Sequence, residues 1–274
     1  MKRAKFFIEH KQFTIFLILA LMIVGVAIFA PQIAPKDPLE AVMLDSLKAP
    51  CAEYPLGTDK LGRDMLSRVI YGTRTSLVMT MCLVIVIFVV GTLLGVLAGY
   101  FGGILDEVIM RVADMMISFP GLVLAIAIAG MLGPNMVNAV IAIAAVSWTK
   151  YARLARSMVL KVKKSMYIEA AIVNGTKTWK ILWRHILPNI LTTMIVTAAA
   201  DIGTMMLELA SLSFLGFGAT APTPEWGLML NEGRTYMAKA PWLMISPGIA
   251  IVIVVVVFNM LGDSIRDLLD PRQE

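Results

Sequence analysis

The chain has 274 residues, 58% of them hydrophobic and only 16% charged, with a mean hydropathy of +0.80. Soluble domains run near half apolar and a quarter charged, so this composition excludes a soluble enzyme or binding module and makes lipid part of the solvent. The net charge of +5 is modest, and its placement says more than its size.

The amino-terminal leader is basic (Lys2, Arg3, Lys5 and Lys11) and runs into an apolar block at 13–30. Pro31, Pro35 and Pro38 follow where a signal peptide would carry a small-residue cleavage site, so the block reads as a retained first span. Residues 31–75 form an outer segment in which six basic residues are balanced by six acids. Further blocks at 77–98, 190–209 and 243–261 each have the ~20 residues that cross a hydrocarbon layer as a helix. Two shorter blocks, 117–132 and 137–148, are either two more spans, the second extended by polar flanks from Pro134 to Ala152, or a re-entrant hairpin. Either way the chain returns to the side it left.

The predicted fold class is all-α, a polytopic membrane protein with six transmembrane helices. Nine basic residues (Lys150, Arg153, Arg156, Lys161, Lys163, Lys164, Lys177, Lys180 and Arg184) face Glu169 alone in the stretch after the fourth span, whereas 209–242 holds only Arg234 and Lys239. Lysine and arginine in short loops mark the inner side, so leader, basic segment and carboxyl tail are expected in the cytoplasm. The chain divides into residues 1–75 (leader, first span and outer segment) and 76–274 (a five-helix core with a loop at about 150–189). Cys51 and Cys82 are too far apart in expected depth to pair, and read as two ordinary thiols.

Inside the basic segment lies Glu169-Ala170-Ala171-Ile172-Val173-Asn174-Gly175, continuing to His185-Ile186-Leu187-Pro188-Asn189. It reads as helix, turn and helix. Ala170 and Ala171 are small and helix-favouring, and Gly175 suits a left-handed residue that ends a helix. Thr176 or Thr178 is placed to cap the next helix, and Pro188 is expected where that helix stops and the fifth span begins. Trp179, Ile181, Leu182, Trp183 and Ile186 give the second helix an apolar face. A charged elbow of small residues between spans suits the docking of another protein.

The pattern Glu-Ala-Ala, three residues, Gly, and after ten more Ile-Leu-Pro resembles the EAA loop of binding-protein-dependent ABC importer permeases. The general pattern has an aliphatic residue where this chain has His185; the form Arg184-His185-Ile186-Leu187-Pro188-Asn189 is similar to the peptide/nickel branch. The resemblance extends over nearly the whole chain. It includes 55–64 (Pro-Leu-Gly-Thr-Asp-Lys-Leu-Gly-Arg-Asp), Gly102-Gly103 with Asp106, Met110-Arg111 and Asp114, the segments 212–218 and 222–227, and the tail from 261 to Asp270-Pro271. It is closest to the C-type permease. The resemblance implies a type I importer architecture in a bacterial or archaeal plasma membrane, with a B-type permease, two ATPase subunits and an extracytoplasmic solute-binding protein as partners. It also implies that Glu169, Ala170, Ala171 and Gly175 couple to the ATPase. No Gly-x4-Gly-Lys-Ser/Thr phosphate loop occurs in the sequence, so such a permease has no ATP site of its own. ATP would be used by the partner subunits, with neither enzyme chemistry nor a cofactor in this chain.

Asp201 and Glu208 lie in the fifth span, two helical turns apart, with Met205 between them. An ionisable group at that depth is a functional candidate. The stripe either lines the pathway or bonds a neighbouring helix. Acids and a thioether suit a metal cation, which favours nickel or a metal chelate narrowly over a di- or oligopeptide. A secondary transporter would need internal repeats, and none is evident. A membrane enzyme would need converging catalytic groups, yet His10 and His185 are the only histidines and both lie outside the spans.

Overall fold

The computed structural model describes residues 10–269; Lys2, Arg3, Lys5 and Asp270-Pro271 lie outside the described residues. Those residues are helical apart from turns and one isolated antiparallel bridge, Thr58 to Asp64. Helix α1 is Lys11–Ile28, α2 Met65–Phe101, α3 Gly103–Ile117, α4 Gly121–Leu132, α5 Met136–Lys163 and α6 Met166–Val173. A continuous helix, α7, covers Thr178–Phe214, followed by α8, Trp226–Gly233, and α9, Trp242–Leu269.

Helices α1, α2, α7 and α9 are each long and apolar enough to cross a membrane. The two short apolar blocks behave differently from a simple reading of their hydropathy. The block 117–132 is not one helix, because Pro120 cannot donate the amide that would continue α3, and α3 and α4 meet at 94°. The block 137–148 is only the first part of α5, which is 28 residues long. Asn135 starts it, its side chain accepting from Val137 N at 2.8 Å. From there to Arg153, which pairs with Asp114 of α3, the axis advances by about 27 Å, close to a hydrocarbon thickness. The turn joining α4 to α5 and the helix α3 therefore lie at opposite ends of the bundle.

Helices α2 and α5 pack most closely. Gly91, Gly95 and Gly99, one per turn of α2, lie against Tyr151, Ala152, Ala155 and Val159 of α5, and a Cβ added at Gly99 would stand 2.9 Å from Val159 Cβ. Small residues every fourth position let membrane helices approach where no hydrophobic force draws them together. The charged half of α5 is accommodated by partners: Arg156 holds Asp106 of α3 in a fork at 2.5 and 2.6 Å, and Lys163 Nζ donates to Tyr100 O at 2.6 Å.

The opposite end is capped by a mantle made of residues 31–64 and 215–241. Its centre is a buried charge network: Arg63 Nε to Asp59 at 2.6 Å, Arg63 to Glu232 at 3.3 Å and Arg68 to Glu232 at 3.1 Å. Around it, Trp226 Nε1 donates to Val69 O at 3.0 Å and Trp242 Nε1 to Thr58 O at 3.2 Å. Glu225 caps α8 through Gly227 N and Leu228 N. Of the six basic residues in 31–75, a segment the charge rule would keep poor in them, Lys36, Lys48, Lys60, Arg63 and Arg68 are each held by an acid.

Candidate functional site

The elbow occupies the basic end of the bundle. Helix α6 follows α5 after a turn at Lys164-Ser165 and is anchored by one fully buried side chain, Ile168. Its end has the geometry the sequence calls for. Gly175 has φ +71°, Gly175 N donates to Ile172 O at 2.9 Å and Thr176 N to Ala171 O at 3.0 Å, a Schellman ending. Glu169, Ala170 and Gly175 are exposed and Ala171 half-buried, so the four residues share one accessible turn. Met166 and Val173 are 87% and 86% exposed, and Trp179 on the next turn is 68% exposed. These uncovered apolar side chains lie beside Glu169, a carboxylate with no ion pair among the described residues, and make the turn an exposed apolar patch.

Two local expectations fail. Neither Thr176 nor Thr178 caps the second helix: Lys177 holds the N-cap position, with no side-chain bond. Nor does the helix stop at Pro188. Residues Leu182–Ile186 form a π-turn, a wider turn that lets α7 run on through a residue with no amide hydrogen. Ile181, Leu182 and Ile186 are buried as an apolar face requires, while Trp179 and Trp183 stand outside it, their rings 5.3 Å apart.

The intramembrane acids have separate fates. Asp201 is buried and already neutralised: Lys150 Nζ lies 2.6 and 2.9 Å from its two oxygens, and Tyr151 OH donates at 2.9 Å. Met205 is buried in the bundle. Glu208 is half-buried and makes no hydrogen bond or ion pair among the described residues. The three therefore do not form an open acid–thioether–acid stripe, and the charge that favoured a metal cation at Asp201 is spent on Lys150. Among the described residues no three His, Cys, Asp or Glu side chains gather as a bound metal ion would require.

Beside Asp201 the bundle opens into a cleft of about 560 Å³. Its walls are Lys150 and Leu154 of α5, Thr192, Thr193, Val196, Thr197 and Ala200 of α7, and Arg266 of α9. Sequence reasoning missed Lys150, Tyr151 and Arg266 as neighbours of the fifth span. The polar spacing within that span was available to it.

The chain belongs to the family of binding-protein-dependent transport system inner membrane components, whose model it matches over residues 91–274. It is 43% identical to the dipeptide transport system permease protein DppC of Alkalihalophilus pseudofirmus, over 97% of this chain and 88% of that protein. It is 44% identical to the glutathione transport system permease protein GsiD of Pectobacterium atrosepticum, over 92% of this chain and 84% of that protein. Its fold matches a chain of the inward-facing MetNI methionine ABC transporter, with a TM-score of 0.60 at 20% identity, over 74% of this chain and 97% of that one. The chain is thus a membrane-spanning permease of an ABC importer, and the secondary-transporter alternative falls.

Proposed function

We propose that this permease carries short peptides, working as the C-type half of a pair with a B-type permease, two ATPase subunits and a solute-binding protein on the far side of a plasma membrane. Relatives named for dipeptide and glutathione transport support peptide over nickel. The self-neutralised Asp201 removes the physical ground for preferring a cation. In this reading the elbow, the leader and the carboxyl tail face the cytoplasm, where the basic residues around the elbow are retained. Residues 1–75 supply the leader, first span and most of the mantle, and 76–274 the moving core, with the boundary falling inside α2.

The observation that carries the proposal is the uncovered elbow. Glu169, Ala170, Ala171 and Gly175 present a rigid, accessible turn in a chain without a phosphate-binding loop, so the power stroke enters there from an ATPase that binds the nucleotide. The test is Glu169→Lys and Gly175→Leu in the reconstituted complex. Both leave the spans untouched, so the protein inserts and pairs normally, while peptide uptake per ATP hydrolysed falls at least tenfold. Normal coupling in both variants would sink the assignment.

A further inference from the structure

Helix α7 carries a polar seam. Thr193, Thr197, Asp201, Thr204, Glu208 and Ser211 follow one another at intervals of three or four residues, which keeps them on one side of the helix. Over eighteen residues the seam advances by about 27 Å, nearly a full hydrocarbon thickness. It is packed away only at its centre: Thr193 and Thr204 are exposed and Thr197, Glu208 and Ser211 half-buried, whereas Asp201, Met205 beside it and Met206 on the far side of the helix are buried. A hydroxyl can satisfy itself on its own helix, as Thr197 does on Thr193 O at 2.9 Å and Ser211 on Leu207 O at 2.7 Å. A carboxylate cannot, and lipid is a poor neighbour for Glu208.

The seam has electrical polarity. Towards the basic end it borders the cleft, where Lys150 remains 60% exposed although paired with Asp201, and where Arg266 has no ion pair among the described residues. Two cations and one carboxylate leave that cleft positive, with the hydroxyls of Thr192 and Thr193 alongside. Towards the mantle stands Glu208, a carboxylate with no cation bonded to it. The rise from Asp201 to Glu208 is about 10 Å, which equals the reach of a fully extended three-residue chain.

Building on the peptide-importer reading above, we propose that this seam is the translocation surface and that it recognises both ends of a short zwitterionic peptide. Glu208 takes the terminal ammonium, and the Lys150–Arg266 cleft takes the terminal carboxylate. Hydroxyls between them replace water along a backbone of any sequence, so the site reads ends and length rather than side chains.

The test uses the full complex in nanodiscs of zwitterionic lipid, with Cys51 and Cys82 replaced by serine and single cysteines placed at Thr197, Thr204 or Met205. Each is treated with a sulfonate-bearing and a trimethylammonium-bearing methanethiosulfonate. The expected result is reaction at 197 and 204 but not at 205, with the anionic reagent favoured about tenfold at 197 and the cationic one about tenfold at 204, the scale a charged cleft gives to rates of approach. Arg266→Gln should level the preference at 197, and Glu208→Gln that at 204. Equal preference at both positions, or no reaction at either, would overturn the proposal. So would loss of the preference at 197 on adding phosphatidylglycerol, which would assign the cleft to an anionic lipid headgroup. Dipeptide uptake by the cysteine-free parent is measured separately. Uptake without seam polarity defeats this inference and leaves the importer reading standing; polarity without uptake does the reverse.

Discussion

The two ends of this molecule are built on opposite plans. The mantle consumes its own charges: Arg63 and Arg68 are buried against Asp59 and Glu232, and Trp226 and Trp242 each find a backbone carbonyl. The elbow leaves its groups open, with one buried anchor in α6, Ile168, and Met166, Val173 and Trp179 uncovered. An end that satisfies itself holds its shape whatever docks on it. In the function proposed above, the end left open takes its final environment from the ATPase that docks there.

The largest effect expected from breaking this contrast is at Arg68. Removing one member of a buried ion-pair network strands the others, at a cost of about 3–5 kcal/mol. Arg68→Ala should therefore lower the thermal midpoint of the purified protein sharply, while Glu169→Ala at the elbow leaves it within a degree or so. Equal midpoints for the two variants would mean that the mantle network contributes nothing to stability.

A pair of glycines sharpens the comparison. Gly62 in the mantle and Gly175 in the elbow have nearly the same backbone angle, φ +76° and +71°. Alanine in that conformation costs roughly 1–2 kcal/mol at either place. At Gly62 the new Cβ would also collide with the carbonyl of Val42, whereas at Gly175 it meets nothing within 4 Å. Gly62→Ala should thus be the more destabilising by at least 1–2 kcal/mol, in the range of other overpacking changes, as read by denaturant or thermal unfolding in detergent. Gly175→Ala should cost little beyond its strained backbone.

The smallest effect is a pH dependence confined to the mantle's rim. Tyr54 OH donates to Asp45 Oδ2 at 2.7 Å, and Lys48 adds a weaker contact at 3.3 Å. Chiefly through the Tyr54 bond, the Asp45 carboxyl is held below the usual carboxylate range. A depressed folded value means that this stabilisation is fully present above the ordinary aspartate pKa and is lost as pH falls through the lower folded one. Limited proteolysis of residues 36–60 should accelerate on acidification below about pH 4. Tyr54→Phe should move the onset towards the ordinary aspartate value, and an unchanged onset would count against the bond.

The long membrane helices and the glycine that ends α6 were legible from local rules alone. Apolar blocks of membrane length at 13–30, 77–98, 190–209 and 243–261 became α1, α2, α7 and α9, because a helix in lipid must be apolar over a fixed length whatever it packs against. Gly175 was legible for an equally local reason, since a left-handed turn excludes most side chains before any tertiary contact forms. The 94° break at Pro120 and the passage of α7 through Pro188 were not legible: both residues lack the amide, and the surroundings decided that one chain bends and the other absorbs the fault in a π-turn. The pairing of Asp201 with Lys150 and Tyr151 also belongs to the tertiary structure. Those residues are fifty positions apart in sequence, and only the close approach of α5, α2 and α7 brings the charges together. Hydropathy records how deep a side chain lies; which neighbour it meets at that depth is set by packing.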